Sequence, residues 1–346
     1  MRMKIGKIIC MMEVCGMSGY NPPYEITNKI LILVAMVSEK IGQITERENL
    51  KSKPHLRKNN KIQSIHSSLR IEANSLSLSD VKDVIDGKLV IGEAKEIQEV
   101  KNAYAAYEQI QKINPYSISD LKRIHGIMTK YTVNESGIFR SGEEGVFSGN
   151  ECIFMAPPAR FVPNLMQELF GWMKSNKDSV HPLILSAVFH YEFVFIHPFS
   201  DGNGRMARLW HTVILSKWQP IFEYIPLESQ IEKFQDGYYN AIAECHKDGS
   251  STRFIEFILE QTNAVLDELS RPRRNSEFEC SRYVKKLLEV MEDDVAYTSN
   301  ELLELLTLKS KDTLRKNYLK PAIQKGLIKM TIPDVPKSKN QRYIKL

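Results

Sequence analysis

The 346-residue chain has no long apolar run, no internal repeat and no low-complexity tract. Its longest apolar stretch, Ile30 to Val37, lies between Lys29 and Lys40 and falls far short of the roughly 20 residues that a membrane-spanning helix needs. It is expected to be a buried helix, and no membrane partner is expected. Lys4, Lys7 and the run Ile8 to Met12 imitate a secretory leader, but Glu13 interrupts it and no small-residue cleavage site follows. Met17 is a natural start, which would make the preceding residues an extension.

Cysteine is also sparse. The five residues Cys10, Cys15, Cys152, Cys245 and Cys280 are odd in number and lack the paired spacing of a zinc site, so a disulfide framework is excluded and a reduced, cytoplasmic setting is expected. Nor is there a strong charge of one sign. With 47 basic and 42 acidic residues the net charge is +5, which permits an acidic ligand but does not by itself demand nucleic acid. A hydrophobic content of 42% is enough for a sizeable core, and the length suggests two or three domains.

What the chain does have is concentrated in His197-Pro198-Phe199-Ser200-Asp201-Gly202-Asn203-Gly204-Arg205-Met206-Ala207-Arg208. Gly202 and Gly204 allow a tight turn that brings backbone N–H groups close to an anion. The apolar-periodic run Met206 to Trp218 is expected to be a helix starting there, whose free N–H groups and dipole favour negative charge. Arg205 and Arg208 project from neighbouring points of its first turn and can fork onto phosphate oxygens. Asp201 is placed to hold Mg²⁺ through one carboxylate, water and phosphate oxygens supplying the other ligands, and Asn203 offers a side-chain donor. His197 has a side chain that titrates near neutral pH and can take a proton from an attacking hydroxyl. Phe199 is expected to be a packing anchor under the loop, and Pro198 to stiffen its approach.

This string resembles the Fic family signature His-x-Phe-x-(Asp/Glu)-Gly-Asn-Gly-Arg-x-x-Arg and matches it at every specified position. The resemblance implies transfer of AMP from ATP, with Mg²⁺, to a hydroxyl side chain (Ser, Thr or Tyr) of a target protein or of the chain itself. It implies His197 as general base and Asp201 as metal ligand. Gly202, Asn203 and Gly204 would form the anion hole, with Arg205 and Arg208 on the phosphates; Met206 and Ala207 fall in the same nucleotide-binding stretch. Two further features are implied. One is a β-hairpin flap that aligns the target segment by strand addition, for which Glu143 to Pro158 is the candidate. The other is an inhibitory helix of pattern (Ser/Thr)-x-x-x-Glu-(Gly/Asn), fitted by Ser68 and Glu72 in the segment 67–74, although Ala73 departs from it. Glu72 would pair with Arg208 and block the γ-phosphate; a solvated glutamate is the plainer alternative. Relatives with such a glutamate can also remove AMP.

Downstream, Phe234 to Ile242 resembles the helix closing the adenine pocket, with Tyr239 and Ile242 beside the base; two adjacent tyrosines cannot both face it. Leu50 to Lys61 is expected to be a loop or helix end. Ser270 to Ser276 suggests a linker, followed by helices near Tyr283 to Met291, from Thr298, and over Lys311 to Lys325, then two strand-like segments that resemble a winged helix. Lys309, Lys311, Arg315 and Lys316 could meet phosphates, but DNA binding is not favoured over a solvated basic face, and a homodimer is left open. The expected fold is mainly α: a Fic-type helical bundle with a β-hairpin flap, plus a C-terminal winged-helix domain. The divisions drawn are 1–95 (N-terminal helices), 96–270 (core) and 276–346. A nucleotide-sensing regulator acting through the last module is the competing function; the presence of His197 favours the enzyme.

Overall fold

The computed structural model describes residues 20–47, 54–148, 151–270, 281–292, 295–324, 326–333, 335–336 and 338–345. Expectations for the N-terminal run, for Leu50 to Lys53, for Arg271 to Ser276 and for Cys10, Cys15 and Cys280 lie outside them. The chain divides into two compact units, 1–270 and 271–346.

In the first unit, Pro182–Ile196 (α7) and Asn203–Trp218 (α8) form the central helix pair. Every residue of α7 from Leu183 to Phe193 is buried, as expected of a helix that is apolar all round. Around this pair pack Val162–Asn176 (α6), Thr252–Ser270 (α11) and Leu227–Lys233 (α9), the last leading into Gln235–Asp248 (α10). The N-terminal helices Asn28–Arg47 (α1), Pro54–Ile71 (α2), Leu78–Ile85 (α3), Ala94–Tyr107 (α4) and Ile118–Met128 (α5) complete the bundle. One apolar cluster runs from Ile30 to Leu266, so α1 and α2 share the core of the helices that carry the signature.

Two sequence expectations need correction. Residues 54–61 lie within α2, not in a loop, because Ile62, Ile65 and Leu69 bury one face of that helix and outweigh its polar composition. The Ile30–Val37 stretch is only half buried: Ile30, Leu33 and Val37 face the core, while Leu31 and Ile32 are more than half exposed. Among the described helices, none is long and apolar enough to cross a membrane.

The flap candidate is a hairpin. Gly145–Ser148 (β1) pairs antiparallel with Glu151–Met155 (β2), Gly145 opposite Met155, with a register irregularity after Val146.

The second unit has its own apolar cluster, including Val284, Leu287, Leu302, Leu314 and Tyr318. Its order is helix Arg282–Val290 (α12), strand Ala296–Thr298 (β3), helix Ser299–Leu305 (α13), a third helical stretch, and strands Ile328–Met330 (β4) and Arg342–Lys345 (β5). The strands form an antiparallel sheet in the order β3-β5-β4. The third helical stretch begins as Lys311–Thr313 (α14), passes through a π-helical turn at Leu314–Leu319 and continues as Lys320–Gln324 (α15). Thr298 caps α13 reciprocally with Glu301, as the sequence anticipated; β3 just before it was not foreseen, being only three residues long.

Candidate functional site

The loop between α7 and α8 carries the signature residues, and its two ends are set by left-handed backbone. His197 caps α7 at φ 50°, ψ 60°, and Gly202 caps α8 at φ 80°. Glycine adopts such a conformation without cost, whereas His197 must be held in it. Phe199 is fully buried and stacks on His125 at 3.6 Å between ring centroids, so the expected anchor is in place. The Asn203 side chain accepts from the Phe199 N–H and donates to the Phe199 carbonyl. Its amide is committed to closing the loop. The Met206 and Ala207 side chains are fully buried in the core, and the Met206 N–H is taken by the Gly202 carbonyl.

At the start of α8 the first N–H groups have no partner within the helix and face the region bounded by Gly204, Arg205 and Arg208. The Glu72 carboxylate occupies part of that region. A β-carbon on Gly204 would lie 2.1 Å from Glu72 Oε1, so only glycine leaves room for an anion against this turn. Arg208, almost wholly buried, donates through Nη2 to Glu72 Oε1 at 2.8 Å and to the Ser68 carbonyl at 2.9 Å, and through Nε to Ser68 Oγ at 3.0 Å. Burial opposes this cation, but the adjacent Glu72 carboxylate outweighs it and holds the guanidinium above its ordinary range.

The path of α2 explains why Glu72 reaches across. Its end is closed by the Ala73 N–H on the Arg70 carbonyl and the Asn74 N–H on the Leu69 carbonyl, which places Glu72 at the C-cap. A carboxylate there faces the negative end of its own helix dipole and gains instead from the positive end of α8. Ala73 sits at φ 66°, the position where glycine or asparagine is usual, and that conformation costs an L-residue about 1–2 kcal/mol. Ala73→Gly, which removes this strain but adds backbone freedom to the unfolded chain, is therefore expected to stabilise the protein by up to about 1 kcal/mol in urea unfolding.

Asp201 is partly exposed, and its recorded contacts, from the Gly202 N–H and from Arg205 Nη2 at 3.2 Å, both use Oδ1. Arg205 is buried between Asp201 and Glu99, whose Oε1 lies 3.5 Å from Nη1, and its Nε and Nη1 have no hydrogen-bond acceptor. Burial lowers the pKa of His197 below the ordinary imidazole value, opposed by a hydrogen bond to the Val194 backbone and reinforced by Arg140. Its ring is accordingly neutral at pH 7. On α10, Tyr238 is buried with its hydroxyl 2.9 Å from His190 Nε2, whereas Tyr239 is half exposed and Ile242 is buried. His246, on the same helix, stacks on Phe154 of β2 at 4.1 Å between ring centroids.

Several residues here carried no sequence signal. His125 accepts the Gly137 N–H at Nδ1, which fixes its remaining proton on Nε2 to donate to the Asp201 carbonyl; burial pushes its pKa down to about 4. Arg140 bonds the His197 carbonyl, and Glu99 pairs with Arg205. They lie on helices and loops far from residues 197–208 in sequence, so no spacing rule links them.

Residues 115–215 match the Fic/DOC family model, and residues 282–345 match the model for the C-terminal domain of Filamentation induced by cAMP protein Fic-like. Curated relatives include Protein adenylyltransferase Fic of Culex quinquefasciatus, 28% identical over 61% of this chain and 43% of the relative, and that of Nematostella vectensis, 30% identical over 59% and 48%. The chain thus spans less than half the length of these relatives. The crystal structure of a Fic family protein from Desulfovibrio desulfuricans G20 is similar at TM-score 0.70 and 40% identity, covering 94% of this chain and 98% of that one. With the signature on a loop between two central helices and a Fic protein matched over nearly its whole length, the chain belongs to the Fic family.

Proposed function

We propose that this chain transfers AMP from ATP to a hydroxyl side chain of a protein and that Glu72 restrains the reaction. The observation that carries the reading is the Glu72 carboxylate resting against Gly204 and paired with Arg208, since an anion already occupies ground suited to phosphate. The names of the curated relatives support the AMP-transfer part. In the proposed reaction His197 takes the proton of the attacking hydroxyl, whose oxygen forms a bond to the α-phosphorus as the α–β bridging bond breaks and pyrophosphate leaves. Arg205, with two N–H groups lacking acceptors, and Arg208 would hold the phosphates. Asp201 Oδ2 is free of recorded contacts and suits Mg²⁺, which binds through one or two carboxylates plus phosphates and would neutralise charge on the leaving group. Tyr239, half exposed on α10, would meet the adenine.

The test is incubation of Glu72→Gly protein with Mg²⁺ and ATP labelled at either the α- or the γ-phosphate. Protein-bound label from α-labelled ATP alone is the expected result. Label from the γ-position would mark phosphate transfer and overturn the reading.

A further inference from the structure

Arg140 lies in the segment between α5 and β1, with only 3% of its surface exposed, and outside the signature at 197–208. Its contacts converge on two places. The backbone N–H donates to the Pro198 carbonyl at 2.9 Å, Nε donates to the His197 carbonyl at 2.7 Å, and Nη2 reaches the Ile196 carbonyl at 3.5 Å, so one residue engages three successive carbonyls at the end of α7. The other contacts bracket the hairpin: Nη1 donates to the Gly142 carbonyl at 2.7 Å, ahead of β1, and Nη2 to the Pro157 carbonyl, just after β2. Among the described residues, the hydrogen-bond partners of this buried guanidinium are backbone carbonyls.

A helix end leaves its last carbonyls without partners, and a cation there is favoured by the dipole. A planar five-donor fork is the side chain that can satisfy such divergent acceptors at once, which an ammonium cannot do. His197 needs that support, because it sits in a left-handed conformation that disfavours any residue with a side chain. Resting on the reading of His197 as general base, we propose that Arg140 is a positioning residue that sets the His197 loop and the two feet of the flap in one register, so that base and target strand are aligned together.

The charged groups acting on His197 are Arg140, Glu72 and Asp201; Arg140 favours the neutral ring and the two carboxylates favour the protonated one. This gives a readout that a purely structural role would leave still. In full-length Glu72→Gly protein, Arg140→Gln and Arg140→Lys are compared by imidazole NMR titration of His197, by ATP affinity and by single-turnover AMP transfer. Arg140→Gln is expected to raise the His197 titration, because the cation that favours the neutral ring is removed. It should also slow transfer roughly tenfold to a hundredfold, with ATP affinity changed by less than about twofold. Arg140→Lys should leave the titration in place and recover only part of the rate, since it keeps the charge and loses the fork. An unmoved titration together with undiminished transfer in Arg140→Gln overturns the proposal, and so does full-rate transfer in Arg140→Lys, which also decides the matter should the Gln variant not fold. Absence of any transfer in the Glu72→Gly parent would sink the AMP reading instead, while the NMR titration would still decide whether Arg140 acts on His197.

Discussion

Glu72→Gly is expected to raise AMP transfer by roughly ten- to 150-fold, the equivalent of the ~1.5–3 kcal/mol that a charge-assisted hydrogen bond contributes. The carboxylate is bonded to a guanidinium that Ser68 also holds through its hydroxyl and its carbonyl, and it lies where a substituent on Gly204 would have to go. Removing it leaves Arg208 free to take the γ-phosphate. Because the Glu72 side chain keeps 37% of its surface open to water, solvent screening places the gain nearer the lower bound. The change should appear in turnover more than in ATP affinity, since the γ-phosphate contact through Arg208 is one among several that would hold the nucleotide. Arg208→Ala in the same background should erase the gain. A Glu72→Gly protein no faster than the unsubstituted chain would show that the carboxylate is not a restraint; loss of AMP removal in that variant would instead assign Glu72 to the reverse reaction.

The second large effect is expected at His197. His197→Ala should lower transfer by about 10²–10⁴-fold while ATP affinity stays nearly unchanged, because a general base acts on the attacking hydroxyl and adds little to ground-state binding. The pH profile gives an independent check. A base must be neutral to accept a proton, and burial lowers the His197 pKa below the ordinary imidazole value. Transfer in the Glu72→Gly background should therefore be flat across neutral pH and decline only as the pH falls below the ordinary imidazole range. A decline centred above that range, or retention of transfer in His197→Ala, would remove the base assignment. Arg205→Ala should behave oppositely to His197→Ala, weakening Mg²⁺-ATP binding, since Arg205 would act on the phosphates.

Much of this site was legible before any coordinates, for a local reason. Helix N-terminus, tight turn, carboxylate and arginines are separated by fewer than twelve residues, so the geometry of one turn and one helix start fixes their relation. The side chains that point inward were harder to read. Asn203, Met206 and Ala207 share the signature with Arg205 and Arg208, yet the phase of α8 and the burial of its neighbours turn them to the loop or the core. Composition misled at residues 54–61, a polar, lysine-rich stretch that forms the first turns of α2, whose later residues Ile62, Ile65 and Leu69 are buried where the helix packs on α4 and α9. The tyrosine pair on α10 resolved as helical phase requires, with Tyr238 inward and Tyr239 outward.

By itself the sequence determined the mainly helical class, the signature loop and the hairpin, because each depends on residues close together along the chain. Only the tertiary structure decided that the carboxylate of Glu72 meets the buried guanidinium of Arg208, 136 positions away, that Glu99 faces Arg205, and that His125 and Arg140 hold the loop from beneath and beside it. Such pairings arise from which helix faces are packed together, and packing is settled by the burial of the whole apolar cluster; no spacing within any one segment records it.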